Sequence, residues 1–280
     1  MPVEIKPIKP MIQRNPWVRP CLLSLVLGYI AFLIFVPIGT LFFSAFSEGA
    51  VSFFKVLCRW DVLHAFGLTF FLSLLAVFVN AVFGLIIAWV LVRHDFPGKK
   101  FLNALVDLPF AVSPVVAGYM LILLFGRTGW CHAWLQAAGI KIVFSLPGMA
   151  IATAFVSLPF VIREVMPVLQ EIGLEEEQAA HTLGANGWQT FWRVTFPSIR
   201  WGLLYGITLT FARAMGEFGA LFVVSGAVSG ETETATLFVF RAMDERMYQE
   251  AYAVSVVLAA VSFFVLLAME ALKKRVREEV

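Results

Sequence analysis

Six apolar stretches, each close to or beyond the length that crosses a bilayer, limit what this chain can fold into. They run roughly over 21–43, 63–92, 101–125, 142–162, 199–224 and 251–272. Lipid offers the backbone no hydrogen-bond partner, so an apolar run of about 20 residues crosses it as a helix that satisfies its own peptide groups. Composition agrees: 60% of the residues are apolar and 14% charged, against about 45–50% and 25% in soluble domains. Mean hydropathy is +0.85. The expected fold is therefore an all-α integral membrane protein of six transmembrane helices. The stretch at 63–92 exceeds the bilayer thickness and is expected to tilt or to extend past the interface.

The first run follows Lys6, Lys9, Arg14 and Arg19. It is too long for the apolar region of a signal peptide, about 7–15 residues, and no A-x-A site follows it. It is read as an uncleaved span. The expected organisation is an N-terminal segment 1–20, a first span within 21–46, a domain 60–272 with the other five spans, and a tail 273–280.

Basic residues set the expected orientation. With the N-terminus inside, the inner segments hold those four residues, then Arg93, Lys99 and Lys100, then Arg163, Arg193 and Arg200, and finally Lys273, Lys274, Arg275 and Arg277. The outer segments hold only Lys55, Arg59, Arg127, Lys141, Arg241 and Arg246, and Arg213 lies within a span. Both termini are expected on the cytoplasmic side of the membrane. The net charge of +2 gives no reason to expect a nucleic-acid partner.

The same count places a polar stretch, 170–198, in the cytoplasm between the fourth and fifth spans. Glu175, Glu176 and Glu177 suit the first turn of a helix, where the macrodipole favours acids. Gly184 suits the left-handed position that ends one, Asn186-Gly187 supplies a turn, and a second helical run starts at Trp188 and ends before Pro197. A helix-turn-helix held between two spans is expected to dock on something.

Asp107-Leu108-Pro109-Phe110-Ala111-Val112-Ser113-Pro114 puts two prolines five residues apart within the third span, so a kink or an unwound patch is expected there. In the fourth, Pro147 suits a first helical turn, and Pro159 and Pro167 follow. Such kinks serve moving or cavity-lining helices and also occur in static ones. Arg213 and Glu217 stand out as the ionisable pair deep within a span. At i and i+4 they are expected to share a helix face. An intramembrane charge costs about 2.5–3.5 kcal/mol on insertion scales and faces a bundle interior or a watery path. The pair either lines a polar route favouring an anion or holds the bundle together. In the outer loop 225–250, Leu237, Phe240, Met243 and Met247 recur at helical spacing, which predicts an interfacial helix or a solvated connector.

Catalytic signatures are absent from the sequence. Gly98-Lys99-Lys100 lacks the upstream glycine and the hydroxyl residue of a phosphate-binding loop. His64, His94, His132 and His181 form no ligand cluster. Glu164, Glu171 and Glu175–Glu177 read as solvated helix charge. Cys21, Cys58 and Cys131 have no paired spacing and read as buried apolar thiols. No cofactor or metal is expected on this chain, and any ATP must be bound by another.

The polar stretch resembles the cytoplasmic motif of ABC-importer permeases, E-A-A-x3-G-x9-I-x-L-P. It stands here as Gln178-Ala179-Ala180-x3-Gly184-x9-Val194-Thr195-Phe196-Pro197. Gln178 replaces the motif's glutamate, with Glu177 next to it. Further runs are similar to the CysW-type permease subunits of sulfate/thiosulfate importers: Leu108 to Gly118, Pro159 to Glu164, Arg213 to Ala220, and Ser229-Gly230-Glu231-Thr232. The run around Arg213 is shared with molybdate permeases, whereas Ser113-Pro114 favours the sulfate group.

The resemblance implies a permease subunit forming a sulfate/thiosulfate pathway, with no enzyme activity of its own. It implies as partners a homologous CysT-type permease, two CysA-type ATPase subunits carrying ATP and Mg, an extracytoplasmic binding protein, and membrane lipid. Glu177, Gln178, Ala179, Ala180, Gly184 and Pro197 would then couple to the ATPase. Arg213, Glu217, Ser113 and Pro114 are candidates for the pathway. Two alternatives stay open: a molybdate/tungstate permease of the same architecture, and a stand-alone secondary anion transporter.

Overall fold

The computed structural model describes residues 18–278. The segment with Lys6, Lys9 and Arg14 lies outside the described residues, as do the side chains of Arg19, Lys273, Lys274, Arg275 and Arg277. Among the described residues all regular structure is helical: α1 Val18–Ala45, α2 Ala50–Leu57, α3 Trp60–Arg93, α4 Lys99–Val106, α5 Leu108–Ala111, α6 Pro114–Phe125, α7 His132–Ala137, α8 Leu146–Ile172, α9 Glu175–Thr182, α10 Gly187–Thr190, α11 Phe196–Met215, α12 Gly219–Val224, α13 Ala235–Asp244 and α14 Tyr248–Glu278. Four are long and apolar enough to cross a membrane, over Pro20–Ala45, Trp60–Arg93, Leu146–Ile172 and Tyr248–Val265. The 34 residues of α3 extend about 51 Å at 1.5 Å per residue, well past a hydrocarbon core of about 30 Å.

α3, α8 and α11 form the centre, and three apolar clusters follow one another along α3. At its N-terminal end Val62 and Ala65 meet α2, α13 and α14 through Phe53, Phe238 and Val254. In its middle Leu68 and Leu72 meet Ala117 of α6, Met149 and Val156 of α8, and Ala220 and Leu221 of α12. At its C-terminal end Ala88 and Leu91 meet Val161, Val165 and Leu169 of α8, and Ile199 and Leu203 of α11. One polar knot crosses this packing: the buried Asn80 amide donates to the Ala154 carbonyl (3.0 Å) and to Ser157 Oγ (2.9 Å). A buried amide satisfied in this way fixes the register of α3 on α8.

Proline and glycine decide where the apolar stretches break. In the third, α5 ends at Ala111, Val112 and Ser113 are extended, and Pro114 opens α6. This is the interruption that Pro109 and Pro114 foretell. Pro147 lies in the first turn of α8, whereas Pro159 and Pro167 are carried inside that helix.

Three expectations need correction. The fifth stretch is not one helix, because α11 stops at Gly216 and α12 begins at Gly219. The thiols are not buried within the chain: Cys21 and Cys58 are exposed and Cys131 is half-buried. An apolar residue of a membrane helix need not face its own protein, and the exposed row along α1 illustrates this. Finally, the helix read in the outer loop is present as α13 but does not reach Met247, since it ends at Asp244. Leu237, Phe238 and Ala242 are buried, while Phe240 and Met243 are exposed.

Candidate functional site

Two constellations contain the residues singled out from the sequence. The first is a meeting of broken helices. Gly219, at the start of α12, lies so close to α6 that a β-carbon on it would stand 3.0 Å from Pro114 Cβ and 3.2 Å from the Val115 nitrogen. One turn further into α6, a β-carbon on Gly118 would stand 2.7 Å from the Ala220 carbonyl oxygen. Small residues thus let the two segments touch backbone to backbone, and they bring the Ser113-Pro114 break beside the Gly216–Phe218 break.

Arg213 and Glu217 flank that second break. They pair at 2.6 Å, with the Glu217 side chain almost fully buried and that of Arg213 31% exposed. They do not share one helix face as the spacing suggests. Arg213 is in the last turn of α11, and Glu217 lies in the turn after Gly216, its N–H donating to the Ala214 carbonyl at 3.1 Å. Glu217 also organises the chain beyond it. Its Oε1 accepts from the Ala220 N–H (2.9 Å) at the opening of α12, and its carbonyl accepts from Thr236 Oγ1 (2.7 Å) in α13. Just before Thr236, the Ala235 N–H donates to Thr69 Oγ1 of α3 (2.9 Å). In the loop between α12 and α13, buried Glu233 accepts from Arg241 Nε (2.6 Å) and Nη2 (3.0 Å), and the guanidinium lies over the Phe238 ring. The hydrogen bonds that Arg241 donates to Glu233 raise its pKa above the ordinary value, with burial opposing.

A second ion pair joins residues far apart in the sequence. Arg163 donates from Nε (2.7 Å) and Nη2 (2.6 Å) to the two oxygens of Asp107, and also to the Oδ1 and carbonyl of Asn103. The charge count sets Arg163 just beyond the fourth apolar stretch. α8 runs on to Ile172, so Arg163 sits about 13 Å inside that helix end. The forked, two-point geometry is the strong form of the Arg–carboxylate bond, and it braces the α4–α5 junction against α8.

The second constellation is the polar helix-turn-helix. Gly184 adopts φ +87° after α9. Its N–H donates to the His181 carbonyl and the Ala185 N–H to that of Ala180, both at 3.0 Å. This is the 6→1, 5→2 pattern that closes a helix end. Asn186 then caps α10: its Oδ1 accepts from the Gln189 N–H (2.8 Å), and Gln189 Oε1 accepts from the Asn186 N–H (3.0 Å).

The second arm differs from the short separate helix expected before Pro197. α10 passes through a π turn at Phe191–Thr195 straight into α11. Pro197 has no N–H for the Arg193 carbonyl and its ring would crowd that carbonyl in a regular helix; the wider turn accommodates both. The three glutamates also differ among themselves. Glu175 and Glu176 are exposed, whereas Glu177 is half-buried and pairs with Arg93 of α3 at 3.0 Å. Gln178 and Ala179 are exposed with Leu183, Trp188 and Pro197, and Ala180 is partly covered.

Comparison with known proteins now bears on these sites. Residues 80–278 match the family described as binding-protein-dependent transport system inner membrane component. The chain is 48% identical over 258 residues to the sulfate transport system permease protein CysW of Synechocystis sp., covering 92% of this chain and 94% of that protein. It is 49% identical over 216 residues to CysW of Escherichia coli K12, covering 77% and 74%. It is 37% identical over 247 residues to the sulfate transport system permease protein CysT of the same organism, covering 88% and 89%. Among solved structures, a chain of a bacterial ABC transporter that imports the acidic polysaccharide alginate superposes with a TM-score of 0.78. At 18% identity, with 94% of this chain and 97% of that one covered, the likeness is one of fold. By family match and by sequence identity alike, the chain belongs to the binding-protein-dependent transport system inner membrane components.

Proposed function

We propose that this chain is the membrane-spanning permease subunit of an ATP-driven importer of sulfate and thiosulfate. The observation that carries this is its 48% identity to a sulfate transport permease over nearly the whole length of both chains. The substrate is an anion with two charges, and the pathway is formed with a second, homologous permease; the relationship to CysT supports a homologue in that place. The six apolar stretches act as six spans with both termini cytoplasmic, the third and fifth being built from broken helices.

The helix-turn-helix from α9 to Pro197 then faces the cytoplasm and receives a pair of ATPase subunits, which bind ATP and Mg. Several features support this reading. The docking face carries small Ala179 beside exposed Leu183, Trp188 and Trp192, an apolar surface that a soluble partner can cover. The arm runs without a break into α11, so displacement of the surface moves a membrane helix as a rigid piece. Ser113, Pro114, Arg213 and Glu217 line or support the pathway at the junction of α6 and α12. A binding protein outside the membrane delivers the anion.

The test is uptake of labelled sulfate into vesicles holding the reconstituted complex, with ATP and with molybdate as competitor. ATP-dependent uptake that molybdate leaves intact is the expected result. Displacement of sulfate by molybdate would transfer the assignment to that anion, and uptake by this chain alone without ATP would refute the subunit role.

A further inference from the structure

The joint between α8 and α9 is a glycine. Gly173 takes φ +68°, and Leu174 alone separates it from the first residue of α9. A push on α9 transmitted only through this joint would be spent on rotation about Gly173, because glycine has little steric resistance to changes of φ and ψ. At the other end, Gly184 makes a second such joint. The short helix on which a partner would act is therefore poorly tied, by its covalent links, to the long helices it has to move.

A polar cluster bridges the joint. The Glu177 side chain is 13% exposed and that of Arg93 6%. Arg93 comes from the last turn of α3, 84 residues away in sequence. Its Nη2 donates to Glu177 Oε1 at 3.0 Å, and its Nη1 donates to the Leu169 carbonyl, in the last turn of α8, at 3.1 Å. The same Glu177 Oε1 accepts from Thr195 Oγ1 at 2.9 Å, and Thr195 belongs to the π turn that leads into α11. One carboxylate thus gathers α9, the ends of α3 and α8, and the root of α11. On α9 it faces the opposite way from its neighbours, since Glu175, Glu176, Gln178 and Ala179 are all exposed. It therefore does not stand in for the outward acid that Gln178 replaces.

We infer that Glu177 is a positioning residue of the transport cycle: with Arg93 and Thr195 it clamps α9 across the Gly173 joint, so that α3, α8 and α11 follow α9 together. The inference rests on the reading of α9 as the surface that meets the ATPase. A buried charge pair suits the task. Loss of either partner strands the other charge away from water, so the clamp holds as one unit. Its donors also reach three different helices, where an apolar contact would fix only one.

The test uses the complete complex, with its partner permease, ATPase subunits and binding protein, in vesicles. Sulfate uptake and phosphate release are measured on the same preparation. Glu177→Gln keeps the shape and removes the charge. The expected result is an intact complex that still hydrolyses ATP, with uptake per ATP reduced about two- to thirtyfold, the range found for changes within a coupling network. Arg93→Met behaves likewise, and Arg93→Lys, which keeps the charge, retains more coupling than Arg93→Met. Amide exchange over 174–186 rises in Glu177→Gln without nucleotide. A ratio of uptake to hydrolysis equal to wild type in both Glu177→Gln and Arg93→Met overturns the clamp. Where Glu177→Gln does not assemble, Thr195→Val, which leaves the ion pair in place, decides the matter through the same ratio: a fall supports the clamp and no change counts against it. A wild-type complex that takes up no sulfate refutes the transport reading instead, and the exchange measurement then still decides the clamp.

Discussion

The same substitution, glycine to alanine, is expected to have opposite signs at two helical positions of this chain. Gly67 lies in the second turn of α3 with nothing within 4 Å of where a β-carbon would stand. Adding the methyl there removes backbone freedom from the unfolded chain and improves helix propensity, a gain of up to about 1 kcal/mol. Gly118 in α6 receives the same intrinsic gain but has no room. The new carbon would stand 2.7 Å from the Ala220 carbonyl oxygen, 3.2 Å from Ala220 Cα and 3.1 Å from Val223 Cβ. Two of these atoms are backbone, so no rotamer change relieves the crowding. α6 and α12 must separate by about 0.7 Å to restore an ordinary contact of 3.4 Å, and overpacking of that kind costs about 1–3 kcal/mol. The net for Gly118→Ala is a loss of about 1 kcal/mol, and for Gly118→Val about 2 kcal/mol or more. Unfolding of the purified chain in mild detergent, titrated with a denaturing detergent, reads both shifts against wild type. Midpoints that move the same way for Gly67→Ala and Gly118→Ala would refute the close seam between α6 and α12.

Three further outcomes follow from the ion pairs and the helix end. Asp107→Asn removes the counter-charge of Arg163, and a double-mutant cycle with Arg163→Met should return a coupling of about 1–2 kcal/mol, reduced from the fully buried case because the side chains are 48% and 30% exposed. A coupling near zero in the same unfolding assay would show that the brace is idle. Gly184→Val forces a branched residue to φ +87°, at a cost of about 1–3 kcal/mol; ATP hydrolysis by the complex should continue while uptake falls, and wild-type uptake would count against the role of this helix end. The raised pKa of Arg241 puts the stability from its pairing with Glu233 fully in place below the unfolded value, to be lost only as pH rises through the still higher folded value. Glu233→Gln should therefore destabilise the chain by the same amount at pH 6 and pH 9, and a difference between the two that grows as pH falls would contradict this.

The long helices were legible because a bilayer imposes a length, and a run of apolar residues announces it. The break before Pro114 was legible for a local reason as well, since proline removes a donor whatever surrounds it. Gly216 and Gly219 gave no such guide. A glycine between apolar residues serves close packing or a break equally well, and here the pair does both, ending α11 and admitting α6. Long-range polar contacts were out of reach. Asp107 and Arg163 are 56 residues apart, and nothing local to Asp107 shows that α8 passes it. Glu177 was hidden by its own neighbours, because three consecutive acids at a helix start have a sufficient local explanation in the macrodipole. Arg93 likewise had one in the charge bias of loops. Only the packing of α3 beside α8 shows that these two residues meet.

The π turn at Phe191–Thr195 acts as a phase shifter. Thr190, Thr195, Ile199 and Leu203 are all buried, at intervals of five, four and four. In an uninterrupted α-helix, at 100° per residue, Thr190 and Thr195 would point about 140° apart. The wide turn absorbs the extra residue and returns them to one side. The face that α10 offers outward, with Trp188 and Trp192, is thereby set by a different angular offset from the face that α11 offers to α3 and α8. Insertion or deletion of a single residue in this turn would rotate one face and leave the other in register, so the chain holds a one-residue adjustment between the face of α11 that packs on α3 and α8 and the face that α10 exposes.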